Sequence, residues 1–100
     1  MNNIFDFELP ELNSEVFTTE FSSKNVEIKT IVSNTLHTPQ IFKQTCDEWV
    51  VVLQGCAKIE MDGVVHKLLK GDTLFIPAEK EHILLKTKKL VVWLAVYIKN

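Results

Sequence analysis

From Asn25 onward, apolar and polar residues alternate with a period of two. Val26, Ile28 and Thr30 face one way, Glu27 and Lys29 the other. That is the pattern of a strand with one buried face. Ala57, Ile59 and Met61 against Lys58 and Glu60 repeat it. The stretch Glu48 to Leu53 reads Glu-Trp-Val-Val-Val-Leu, apolar on both faces after its first residue, as expected of a strand covered on two sides. Asp62-Gly63 is a hairpin signal, so Val64 to Leu69 should return along the strand before it. Gly71-Asp72 marks another turn, and Thr73 to Ile76 a strand stopped by Pro77. His82 to Lys86 and Leu90 to Ile98 complete the set. Asn34 to Gln40, which contains Pro39, reads as a loop. Ser14 to Ser23, with Val16, Phe17 and Phe21, fits a short helix or a loose strand.

Gly55, Gly63 and Gly71 all sit at expected turns, eight residues apart. Short strands with evenly spaced turns define an all-β sandwich or closed barrel. The expected layout is an N-terminal arm over residues 1–24, packed on a barrel over residues 25–100.

One hundred residues make one domain, and 46% apolar with 24% charged residues is ordinary for a globular chain. The longest apolar run, Leu90 to Ile98, is far short of the roughly 20 residues a membrane helix needs. The N-terminal segment carries acids where a secretory signal has a basic region, so a cytoplasmic location is expected. Two cysteines, Cys46 and Cys56, make no disulfide scaffold. A net charge of −2 argues against nucleic acid as a partner. Every basic residue is a lysine. Acids dominate residues 1–20 and lysines residues 80–100, which suggests that the two ends lie near each other.

The stretch Phe42 to Lys86 resembles the two motifs of the cupin family. The first is written G-x5-H-x-H-x3,4-E-x6-G; here Glu48, six residues and Gly55 match its second half. The second is G-x5-P-x-G-x2-H-x3-N; here Gly71, five residues, Pro77 and then His82 fall at the expected distances. Phe42 and Gln44 stand where the first motif has its two histidines. Glu79 replaces a glycine and Lys86 an asparagine. The segment is also similar to a small single-domain cupin group whose first motif ends Glu-Trp, as Asp47-Glu48-Trp49 does, and tolerates glutamine at the position of Gln44. The resemblance implies a cupin-type jelly-roll β-barrel with its chemistry inside.

In that fold Gln44, Glu48 and His82 would converge on one point. An amide oxygen, a carboxylate and an imidazole could hold a divalent ion, with Mn, Fe, Ni or Zn favoured over soft copper. Without a metal, Glu48 and His82 remain a candidate catalytic acid/base pair. The bland alternatives are a solvated or lysine-paired Glu48 and a packed, hydrogen-bonded His82. Cys46 is expected to be a small buried hydrophobe, or else a thiolate near the site. Cys56 is expected to be structural. His37 is read as surface, with a ligand role only if its loop reaches the barrel mouth. His66 should share a face with Ile59. Trp49 and Trp93 are core or interface residues, and the excess of apolar strand surface suggests a homodimer.

Three functions follow. The first is a metal-dependent isomerase, dioxygenase or lyase-type enzyme acting on a small metabolite. The second is a metal-free module binding a small-molecule ligand such as a sugar or organic acid. The third is a structural or regulatory homodimer with a filled barrel. No phosphate-binding glycine loop, Ser-His-Asp arrangement or dinucleotide fingerprint names a substrate.

Overall fold

Two antiparallel sheets face each other in a computed structural model that describes residues 2–99. Among the described residues there are nine strands and no helix: β1 (Ser14–Ser22), β2 (Val26–Asn34), β3 (Gln40–Phe42), β4 (Asp47–Gln54), β5 (Ala57–Met61), β6 (Val64–Leu68), β7 (Thr73–Ile76), β8 (His82–Leu84) and β9 (Leu90–Ile98). One sheet runs β1-β2-β9-β4-β7 and the other β3-β8-β5-β6. Apart from the β1–β2 and β5–β6 hairpins, each connection carries the chain across to the opposite sheet, which is the habit of a jelly-roll barrel.

Alternation decides which residues fill it. Ile31, Val50, Val52, Ile76, Val91, Trp93 and Ala95 from the larger sheet meet Ala57, Ile59, Leu68 and Leu84 from the smaller one in a single buried cluster. Leu36 closes one end. Its N–H donates to Thr87 Oγ1 at 2.9 Å, and its carbonyl accepts from the Thr87 N–H at 3.0 Å. These bonds tie the β2–β3 and β8–β9 loops together.

Asp62 and Gly63 both adopt positive φ (54° and 75°) and join Met61 to its partner Val64. This is the two-residue type I′ turn that the Asp-Gly pair favours. Ile59 pairs with His66, so the two share a face as expected.

Ser14–Ser22 is a strand at the edge of the larger sheet, held by β2. Before it, the arm is tied down where Asn34 Nδ2 donates to the Pro10 carbonyl at 2.5 Å and the Asn13 N–H to the Asn34 carbonyl at 2.8 Å. The acidic strand β1 and the C-terminal strand β9 lie in the same sheet with β2 between them. Glu20 and Glu15 accept from the Thr30 and Ser33 hydroxyls at 2.8 and 2.6 Å. Lys99 lies 3.9 Å from Glu27. Cys56 is exposed rather than structural. Among the described residues, no helix is long and apolar enough to cross a membrane.

Candidate functional site

The site forms where the turn between β7 and β8 is clipped to the segment leading into β4. Pro77 ends β7. The Ala78 N–H then donates to Asp47 Oδ1 at 2.8 Å, and the Glu79 N–H to the Gln44 carbonyl at 2.7 Å. These two bonds fix the spacing between the segments and bring His82, at the start of β8, beside Glu48.

Gln44, Glu48 and His82 therefore line one cavity, as the cupin resemblance implies. Gln44 Nε2 donates to Glu48 Oε1 at 2.7 Å, and His82 Nε2 lies 3.9 Å from the same oxygen. Glu48 and His82 are 6% and 5% exposed, so the pair is shielded from water. His82 Nδ1 lies 3.1 Å from the Lys80 carbonyl. A carbonyl only accepts, so Nδ1 carries the proton, and in the neutral ring Nε2 is left as an acceptor facing Glu48. Phe42 stacks on the imidazole with ring centroids 5.6 Å apart.

Two residues of the site were not singled out from sequence. Tyr97, on β9, hydrogen-bonds Glu48. Burial and the Glu48 charge push the phenol above its ordinary range, so it stays protonated and donates. Glu15, on β1, lines the same cavity. It accepts from Ser33 Oγ, which in turn accepts from Trp93 Nε1 at 3.2 Å. The cavity measures about 50 Å³ and is walled by Phe17, Phe42, Trp93 and Tyr97 among others.

Cys46 does not line this cavity. Its thiol is pushed up by burial and by Glu48, which disfavours the thiolate a nucleophile or ligand needs. His37 is exposed and lies outside the cavity as well.

The donor set is a poor fit to a resident divalent ion. Among the described residues, no three His, Cys, Asp or Glu side chains converge on one point. The positions matching the first motif's histidines carry Phe42, whose ring lies against His82, and Gln44, whose amide nitrogen is turned to the carboxylate.

Glu79 shows how the chain departs from the motif at a cost. It takes the place of a glycine and keeps the backbone that glycine suits, with φ 64°. A β-carbon in that region costs roughly 1–2 kcal/mol, part of which returns through the extra freedom of glycine in the unfolded chain. Glu79→Gly is expected to stabilise the protein by about 0.5–1 kcal/mol, read as a higher melting temperature. A lower one would show that the Glu79 side chain contributes more than its strain removes.

Burial also raises the pKa of Glu15 and of Glu48 above the ordinary 4.5; hydrogen bonds from Ser33 and from Gln44 respectively oppose the shift. Each carboxyl binds its proton more tightly folded than unfolded. Its contribution is therefore most favourable below 4.5 and is lost as pH rises through the elevated folded value. Glu15→Gln keeps the acceptor for Ser33 but carries no charge. In denaturant melts it is expected to be more stable than wild type at about pH 8, the difference closing by about pH 4. A difference constant with pH would contradict the shift.

The fold and this geometry together define a cupin barrel, and the chain belongs to the cupin family: the family model described as "Cupin domain" matches residues 31–97. A search of curated proteins finds no match. Among solved structures it is similar to a Ralstonia eutropha JMP134 protein described as a "putative mannose-6-phosphate isomerase". The two are 30% identical over 100% of this chain and 98% of that one, with a TM-score of 0.83. A cupin superfamily protein of Desulfitobacterium hafniense DCB-2 shares the fold at 22% identity, covering 91% and 83% of the two chains with a TM-score of 0.79. An RmlC-like cupin of Shewanella frigidimarina NCIMB 400 does so at 14%, covering 88% and 78% with a TM-score of 0.78.

Proposed function

We propose that the chain binds a small polar molecule inside the barrel, held directly by Glu48, Gln44 and His82 rather than through a metal ion. The observation that carries this reading is the 3.9 Å gap between His82 Nε2 and Glu48 Oε1. It is too long for a hydrogen bond, yet a single ligand donor seated beside it could reach both atoms. Gln44 and Tyr97 hold the carboxylate in place for that contact. The same pair would move a proton on the bound molecule, which suits an isomerase or lyase-type step. A dioxygenase belongs with the metal-dependent alternative.

Elemental analysis of untagged protein after exposure to Mn, Fe, Ni and Zn separates the two. The expected result is no stoichiometric metal. Instead, a panel of neutral, anionic and cationic small molecules should contain a binder whose thermal shift disappears in His82→Ala. Stoichiometric metal, lost in both His82→Ala and Glu48→Gln, would overturn this reading in favour of the metal enzyme. A panel with no binder, with or without metal, would leave a filled structural barrel.

We propose in addition that a second copy of the chain covers the outer face of the larger sheet, where an apolar row crosses all five strands.

A further inference from the structure

Resting on the reading that the barrel binds a small molecule, the polar groups around the cavity narrow the class it takes. Two carboxylates line it, Glu15 and Glu48, and no lysine does. The chain contains no arginine. Lys29 is the nearby cation: it pairs with Glu27 at 3.2 Å, lies over the Tyr97 ring at 5.5 Å and its charge is felt at Glu48, but it does not line the cavity.

Most donors around the cavity are committed inside the protein, the second N–H of the Gln44 amide excepted. The Trp93 indole N–H goes to Ser33 and the Ser33 hydroxyl to Glu15. Gln44 Nε2 and the Tyr97 hydroxyl go to Glu48. What remains for a ligand is mostly acceptors: carboxylate oxygens, the Gln44 amide oxygen and His82 Nε2. The walls contribute Phe17, Phe42, Trp93 and Tyr97, whose ring faces attract cations. At roughly one water per 10–15 Å³, a cavity of about 50 Å³ has room for about four water-sized groups. A sugar phosphate would bring its anion to a wall without lysine or arginine.

We propose that the ligand is a small aliphatic amine, bound as its ammonium cation. The ammonium supplies three donors and a positive charge to a pocket of acceptors and ring faces. Its alkyl chain lies against the apolar wall formed by Ile31, Val50, Ile59 and Ile76.

A set of probes matched in size isolates the charge: n-butylamine, n-butanol and n-butyrate, with mannose 6-phosphate as the large anion. Binding is measured by calorimetry and by the shift of the Trp93 indole proton in nuclear magnetic resonance. Butylamine is expected to bind at least tenfold more tightly than butanol. Butyrate and mannose 6-phosphate should give no saturable signal. Glu15→Gln and Glu48→Gln, checked for native circular dichroism, should each reduce the amine's affinity while leaving butanol unchanged. Should one variant fail to fold, the other carries the charge test, because Glu15 and Glu48 lie on different strands.

Butanol or mannose 6-phosphate binding as tightly as the amine, and lost in His82→Ala, would overturn the amine assignment and leave the pocket reading standing. Amine binding unchanged in both Gln variants would place it on the surface and overturn the assignment. Silence from all four probes would overturn it too. The broader panel described above would then decide whether the pocket reading survives.

Discussion

Replacing Gly55 with alanine is expected to cost about 3 kcal/mol of stability, whereas Gly63→Ala should cost about 1 kcal/mol. Both glycines lie at positive φ, 85° and 75°, so the conformational penalty is similar. What separates them is space. A β-carbon on Gly55 would lie 2.5 Å from the Leu90 carbonyl oxygen and 3.3 Å from the Val91 α-carbon, while one on Gly63 meets nothing within 4 Å. Backbone cannot rotate aside as a side chain does. Relief requires β9 to part from β4, close to a register slip already present between Val52 and Gln54. Val91 and Val92, at 1% and 0% exposed, would be disturbed with it. At roughly 4–8 °C per kcal/mol for a domain of this size, the Gly55 variant should melt about 12–24 °C below wild type. Equal melting of the two variants would show that the β4–β5 turn yields more easily than its geometry implies.

The match of Gly55 to a motif glycine was legible in the sequence; the reason for it was not. Periodicity is a local property, so β5, the Asp62-Gly63 turn and the strand character of β2 could be read directly, but the Val26, Ile28 and Thr30 side of β2 faces outward while Ile31 enters the core. The strand Ser14–Ser22 could not be read in this way, because a bulge interrupts its alternation. The register shifts between Thr19 and Phe21, so Phe17 pairs with inward-facing Ile31 while Phe21 pairs with outward-facing Ile28. Four residues apart, the two phenylalanines point to opposite faces, and no single period describes them.

Glu15 was hidden for the same reason. In a run of acids it reads as a solvated charge, and only pairing with Ser33 turns it inward. Tyr97 sits in Leu90 to Ile98, where both faces are apolar and sequence gives no preference between them. Gln44, Glu48 and His82 were legible because motif spacing encodes their convergence. The bonds that produce it, from the Ala78 and Glu79 N–H groups, join positions more than thirty residues apart.

Trp49→Lys is expected to convert a dimer into a monomer, raising the dissociation constant at least about 100-fold, equivalent to about 3 kcal/mol. Cross-strand pairing aligns Phe21, Ile28, Val96, Trp49 and Phe75 in one row on the outer face of the larger sheet. Phe21, Trp49 and Phe75 are 55%, 38% and 49% exposed. At about 4.8 Å per strand the row runs for about 20 Å. The N-terminal arm lies along another part of this face, beside Val16, Thr18, Thr30 and Val32, and leaves the row open. A two-fold axis would lay the row of one copy on the row of the next. Each substituted position then occurs twice in one interface. Trp49→Lys thus replaces two aromatic contacts and introduces two charges with no opposite charge in the row. Ile41→Lys, at a 67% exposed position on the smaller sheet, is the matched control and should leave the dimer intact. Sedimentation velocity over a range of concentrations distinguishes the outcomes. A wild-type monomer throughout would remove the dimer, and dissociation by Ile41→Lys rather than Trp49→Lys would move the interface to the opposite sheet.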